Sequence, residues 1–176
     1  MIVQRLTVAT RPLLAMLSAF LGMLPLPAPP YAQVGDWRRD VTGGPPSVDR
    51  PRPLTFRREP LLARPSTRTL ATLVRSRLPA GTTISALNYY PAGGAGLGWH
   101  TDSANPGWRI YIAQPLTEVA GEFLTADEII ADAPGVALAF EVGAPESWHA
   151  VRTEGPRLSI GIRIRERAQL ELLGLA

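Results

Sequence analysis

Two histidines occur in the 176 residues, and each follows a tryptophan: Trp99-His100 in "GLGWHTDS" and Trp148-His149 in "ESWHAV". Asp102 stands two residues after His100. In an extended chain, residues i and i+2 point to the same side. His100 and Asp102 can therefore present an imidazole and a carboxylate together. His149 lies in a separate stretch that a folded sheet can bring alongside. Two imidazoles and one carboxylate occupy one face of an octahedral metal and leave three positions open, an arrangement suited to non-haem iron(II). A His-x-Asp alone arises readily by chance, and the alternative is a pair of histidines satisfied by packing or solvent. The chain has no cysteine, which excludes disulfides and thiolate metal sites.

The segment "RLSIGIRIR" bears on the choice. Arg157, Ser159, Gly161 and Arg163 share one face of a strand, and Leu158, Ile160, Ile162 and Ile164 share the other. The first face is too polar for a core without a ligand. A buried, unpaired guanidinium is costly, so an anion is expected there, and a carboxylate gripped in two places suits it best. An exposed edge strand with solvated arginines is the alternative. Arg157 follows His149 by eight residues. In "NYYPAGG", Asn88 and Tyr90 share a face, and both can donate hydrogen bonds to a carboxylate. In "PGWRIY", Arg109 and Tyr111 share a face with the expected pocket. Trp108, Arg109 and Tyr111 are candidates for the substrate wall, and a surface salt bridge would serve Arg109 equally well.

Taken in order, His100-Thr101-Asp102, Gly121-Glu122-Phe123, Pro134 to Phe140, His149 and Arg157-Leu158-Ser159 resemble the motif series of the Fe(II)/2-oxoglutarate-dependent dioxygenase superfamily. The resemblance covers about residues 82–166. Asn88, Tyr90, Arg157 and Arg163 are similar to the co-substrate residues of its AlkB-type branch. The loop "GWHTDSANPGWRIY" is similar to small bacterial and phage-encoded members. The resemblance implies a double-stranded β-helix (jelly-roll) core, with Fe(II) held by His100, Asp102 and His149. It implies 2-oxoglutarate and O2 as co-substrates, with succinate and CO2 as products alongside a hydroxylated or demethylated substrate. The far carboxylate of 2-oxoglutarate would pair with Arg157, helped by Ser159 or Tyr90. The short spacing from His149 leaves Arg157 and Arg163 as alternatives for that role. A small molecule or a peptide side chain is the preferred substrate. Nucleic acid, through an AlkB-like activity, ranks lower because no aromatic sandwich for a flipped base is evident. A cupin-like metal-binding barrel without oxygenase activity is the other alternative.

The elements that must position these residues begin at Thr82. Strands are predicted at 82–90, 108–113, 121–126, 136–142, 147–153 and 157–165, with turns at "PAGGAGLG", "ANPG", "DAPG", "GAPE" and "EGP". That pattern is mainly β with flanking helices (α+β), a sandwich or barrel. Trp99 and Trp148 alternate with their histidines and are expected to pack behind the sheet. Ser66 is placed to cap a helix over 67–78 that puts Leu70, Leu73, Val74 and Leu78 on one face. Residues 33–66, rich in Pro, Gly and Arg, read as a long loop of the kind that forms lids or binding segments. The N-terminus has two readings. One is a secretory signal over 1–32. The other, favoured, is a strand at 2–8 and a helix opened by Pro12, with Thr10 as its cap. The apolar run is too short and too broken by proline for a membrane span. Residues 1–81 are thus expected to pack on an 82–166 core, followed by a tail at 167–176. A cytoplasmic location follows from the favoured reading and export from the other.

Charge divides unevenly. Residues 1–80 hold 12 arginines against 4 acids, and residues 81–176 hold 6 arginines against 11 acids. There is no lysine. A basic N-terminal half would favour a polyanionic partner, although the Ala, Gly, Pro and Arg bias also fits a GC-rich genome.

Overall fold

The computed structural model describes residues 1–46, 54–102, 104–143, 147–165 and 168–172. In chain order the elements are β1 (Val3–Thr7), α1 (Pro12–Gly22), β2 (Gln33–Val34), α2 (Trp37–Thr42), β3 (Phe56–Arg57), β4 (Glu59–Pro60) and α3 (Pro65–Arg75). There follow β5 (Thr82–Tyr90), β6 (Ala95–His100), β7 (Gly107–Pro115), β8 (Glu122–Thr125), β9 (Ile129–Ala131), β10 (Val136–Val142), β11 (His149–Thr153), β12 (Arg157–Ile164) and α4 (Ala168–Leu172).

Two antiparallel sheets result. The major sheet runs β1-β10-β7-β12-β5-β4 and the minor sheet runs β2-β3-β6-β11-β8-β9. From β5 to β12 the chain alternates between sheets, apart from the β8–β9 hairpin. This winding of two four-stranded sheets is the double-stranded β-helix, or jelly roll. The short strands β1 to β4 extend its edges.

Alternation along each strand divides the apolar side chains into layers. Between the sheets lie Tyr90, Leu97, Phe123, Ile130, Leu138, Phe140 and Val151. The outer face of the major sheet, with Leu158, Ile160, Ile162 and Ile164, packs under α1 and α3. Leu14, Leu17, Phe20 and Leu21 of α1 are buried there. The outer face of the minor sheet is covered by α2, where Trp37 and Val41 meet Trp99, Leu124 and Ala150.

The N-terminal strand and helix form as the favoured reading expects, and β1 pairs with β10. The cap differs: Arg11 is the N-cap without a side-chain bond, and the Thr10 hydroxyl donates to the Thr7 carbonyl at 3.2 Å. Helix α3 starts at Pro65, before Ser66, because proline at the first turn gives up no needed N–H. Leu73 is exposed and so parts from the face of Val74, where Thr67 and Ala71 are buried instead. The expected 33–66 loop contains three short strands and α2, whose N-cap Asp36 accepts from the Arg39 amide at 3.2 Å. The 47–53 part of that stretch, residues 144–146 of the "GAPE" turn, and residues 167 and 173–176 of the tail lie outside the described residues.

"PAGGAGLG" is not simply a turn: its second half is strand β6. A Cβ at Gly96 would lie 2.5 Å from the Trp37 ring and from the Val151 carbonyl. One at Gly98 would lie 2.1 Å from Asp40 Oδ2. These glycines are there so that α2 can sit directly on the sheet. No helix among the described residues is long and apolar enough to cross a membrane.

Candidate active site

His100 ends β6 and His149 begins β11, and the two are register partners across the minor sheet. One irregularity aims them. Val151 pairs with Leu97, so two steps along β11 correspond to three along β6. The extra residue is a β-bulge, which re-aims the side chains beyond it. Leu97 faces inward, Gly98 and Trp99 both face α2, and His100 faces inward again. The imidazole centroids of His100 and His149 stand 4.1 Å apart.

Both rings are held in one tautomer. His100 Nδ1 lies 2.9 Å from the Gly98 carbonyl and His149 Nδ1 lies 3.0 Å from the Ser147 carbonyl. A carbonyl only accepts, so each Nδ1 carries the proton and each Nε2 keeps its lone pair. Burial pushes the His149 imidazole down to about 3, and neighbouring His100 adds to the effect. Burial also lowers His100, against the opposing influence of the Gly98 carbonyl and Asp102. Both rings are therefore neutral near pH 7. Phe123 stacks on His149 with centroids 5.6 Å apart, and Phe140 lies 5.5 Å away.

Asp102 sits beyond β6 and accepts from Arg109 Nε at 3.1 Å through Oδ2. Burial alone would raise its carboxyl, but His149, His100 and Arg109 outweigh this and hold it below the usual range. Among the described residues, no three His, Asp or Glu side chains are gathered closely enough to hold an ion as they stand. The histidines meet; Asp102 is drawn to Arg109.

A cavity of about 440 Å³ opens over these groups. Asn88, Tyr90, Arg109, Tyr111 and Arg163 line it, together with His100, Asp102 and His149. Cross-strand register explains the grouping. Arg163 of β12 lies opposite Arg109 of β7, and Asn88 and Tyr90 fall on the same face of β5 by alternation. Arg163 Nη1 donates to Asn105 Oδ1 at 2.9 Å, and Arg109 Nη2 donates to the Asn105 carbonyl at 2.5 Å.

Arg157 and Ser159 are placed differently. Both are buried, and neither lines the cavity. Arg157 is at the far end of the strand, fully enclosed, and donates to the Asp132 carboxylate and to the Tyr111 hydroxyl. Its guanidinium carbon lies 4.8 Å from the Tyr90 ring centroid. The anion expected for Arg157 is thus supplied from within the chain. Burial alone would lower the guanidinium, but Tyr111 and Asp132 outweigh it and keep Arg157 charged. Trp108 is a correction: it packs against the layer under the helices and does not line the cavity, because it alternates with Arg109. Trp99 packs behind β6, as expected, and its Nε1 donates to the Val41 carbonyl at 3.1 Å. Trp148 packs in the same layer.

Two residues of this region escape sequence reasoning. Asp132 falls in the "DAPG" turn, and nothing local shows that it reaches Arg157. Arg58 lies between two strands of two residues each, inside the stretch read as a loop, and it lines the cavity.

No protein-family model and no curated protein matches this chain. Similar solved structures include an oxidoreductase of the 2OG-Fe(II) oxygenase family from Burkholderia pseudomallei. The TM-score is 0.44 at 16% identity, covering 85% of this chain and 77% of that one. A prolyl hydroxylase from Trichoplax adhaerens, in complex with a peptide fragment of the hypoxia inducible factor oxygen degradation domain, gives 0.44 at 13% identity, covering 97% and 86%. A Pseudomonas putida prolyl-4-hydroxylase gives 0.39 at 18% identity, covering 94% and 92%.

Proposed function

We propose that this protein is an Fe(II)/2-oxoglutarate-dependent dioxygenase acting on a small molecule or a peptide side chain. The observation that carries the reading is the pair of neutral, tautomer-locked imidazoles 4.1 Å apart in a cavity that also holds Asp102. These are the chain's only two histidines. The donor chemistry fits iron(II): two Nε2 lone pairs and a carboxylate. Asp102 can keep Arg109 on one oxygen and offer the other, since an ionised carboxylate has several acceptor positions.

His100 and His149 hold the metal through Nε2, and the Gly98 and Ser147 carbonyls fix their ring planes. Backbone bonds of this kind orient ligands and raise their basicity. Asp102 completes the set, and Arg109 positions it. Arg163 binds one carboxylate of 2-oxoglutarate, and Asn88 and Tyr90, further along the neighbouring strand opposite Ser159 and Arg157, donate to the other. Leu97, Phe123, Phe140 and Val151 keep water from the metal side. When bound, iron(II) with O2 and 2-oxoglutarate would supply the oxidising power to turn a substrate C–H into C–OH, one oxygen atom going to the substrate and the other to succinate as CO2 leaves.

The test is succinate release by purified protein given Fe(II), ascorbate and 2-oxoglutarate, with calorimetric titration of 2-oxoglutarate in the presence of Mn(II). Slow succinate formation and saturable binding are expected. Absence of both overturns the reading, and metal binding without 2-oxoglutarate affinity favours a cupin-like barrel.

A further inference from the structure

The cavity carries more positive charge than the proposed reaction uses. Arg58, Arg109 and Arg163 line it, and Asp102 is the one acid among the described lining residues. Arg109 is committed to Asp102. With iron(II) and dianionic 2-oxoglutarate bound, their charges cancel and two of the arginines remain unbalanced. Arg163 faces the co-substrate, which leaves Arg58.

Arg58 is held ready rather than satisfied. Its backbone is fixed where the chain passes from β3 in the minor sheet to β4 in the major sheet, and its amide donates to the Ala32 carbonyl at 3.0 Å. Nη1 donates to Asn88 Oδ1 at 3.0 Å, and Cζ lies 5.1 Å from the Phe56 ring centroid. Nε is buried without a partner. No ion pair among the described residues involves it. Arg58 is partly buried, and a guanidinium drawn even partly out of water is favoured by an anion beside it. A planar carboxylate is the group that its fork fits best. Apolar Leu54, Leu97 and Ile110 line the same cavity, whose size suits a small molecule.

We infer that Arg58 reads a carboxylate on the substrate, so that the substrate class is small carboxylic acids. The inference rests on the oxygenase reading, which assigns the co-substrate to Arg163.

Equilibrium dialysis tests it on the full chain. The probes are a set of small carboxylic acids, each paired with its carboxamide, and a set of phosphate monoesters. Each is run with Mn(II) and 2-oxoglutarate and again with neither. At least one acid should be retained about tenfold more tightly than its amide, a difference of one charge-assisted contact. Arg58→Gln should erase that preference, Arg58→Lys should keep part of it, and both variants should bind 2-oxoglutarate as the parent does. The inference is overturned if no acid is preferred over its amide or if the preference survives Arg58→Gln. Retention of phosphate monoesters alone overturns it too, as does loss of 2-oxoglutarate binding in Arg58→Gln, which would make Arg58 the co-substrate anchor. Failure of the oxygenase reading shows separately, as 2-oxoglutarate that the parent protein does not retain, while acid preference is still read in the arm without it.

Discussion

Arg157 and Arg163 stand six residues apart on the same face of β12, and their surroundings are opposite. Arg163 lines the open cavity with the histidines, its Nη1 on an asparagine side chain; Nε is buried without a partner in both arginines. Arg157 is sealed at the other end by Asp132, Tyr111 and Tyr90. The polar stripe of one strand therefore serves two purposes. Where the chain supplies its own carboxylate, arginine closes the barrel. Where it supplies none, arginine keeps a neutral partner and has room beside it for an anion from outside. A glycine supports the closed end: a Cβ at Gly121 would come within 2.4 Å of Arg157 Nη1 and 2.5 Å of Asp132 Oδ2.

The largest effect should come from the closed end. Asp132→Ala leaves a buried charge unpaired and should cost about 3–5 kcal/mol in urea unfolding. Replacing Asp132 and Arg157 together by leucine should recover most of that loss and leave 2-oxoglutarate affinity unchanged. If affinity falls instead, Arg157 reaches the co-substrate and the contrast between the two ends fails. At the open end, His149→Ala should weaken Mn(II) binding by about 100-fold or more, since even changes behind a metal ligand cost ~10–100-fold. Calorimetry reads this directly. Gly98→Ala presses a methyl against Asp40 and should destabilise by about 1–3 kcal/mol, measured in the same urea series. The smallest effect should be Arg163→Gln, which should raise the 2-oxoglutarate Kd about tenfold without shifting the unfolding midpoint.

Much of this was readable in the chain. β5 and β10 have the bounds that alternation and turn residues predict, and β12 ends one residue short of its expected limit. Their signal is local: apolar residues alternate along them and turns bracket them. β6 was hidden because glycine marks turns in most settings, whereas Gly96 and Gly98 mark the close approach of a helix. α2 was hidden inside a Pro- and Arg-rich stretch, and only Asp36 before Trp37 hints at a capped turn. At the site, Asn88, Tyr90, His100, Asp102, Arg109, Tyr111, His149 and Arg163 all reach one cavity. Trp108 faces away from the cavity, as its alternation with Arg109 along the strand requires. Asp132 and Arg58 depend on pairings across 25 and 30 residues, to Arg157 and Asn88, which no local pattern encodes.

The extra residue in β6 makes the site depend on a count as well as on identities. Between Leu97 and His100 stand two residues where plain alternation needs one, and the bulge is what returns the imidazole to the inner face. Drawn out as regular strand at its present length, the segment would turn His100 toward α2 while leaving every side chain of the site chemically intact. Removing one of the two residues would restore plain alternation and keep His100 inward, so a related chain can lack the bulge and one residue together, but not the bulge alone.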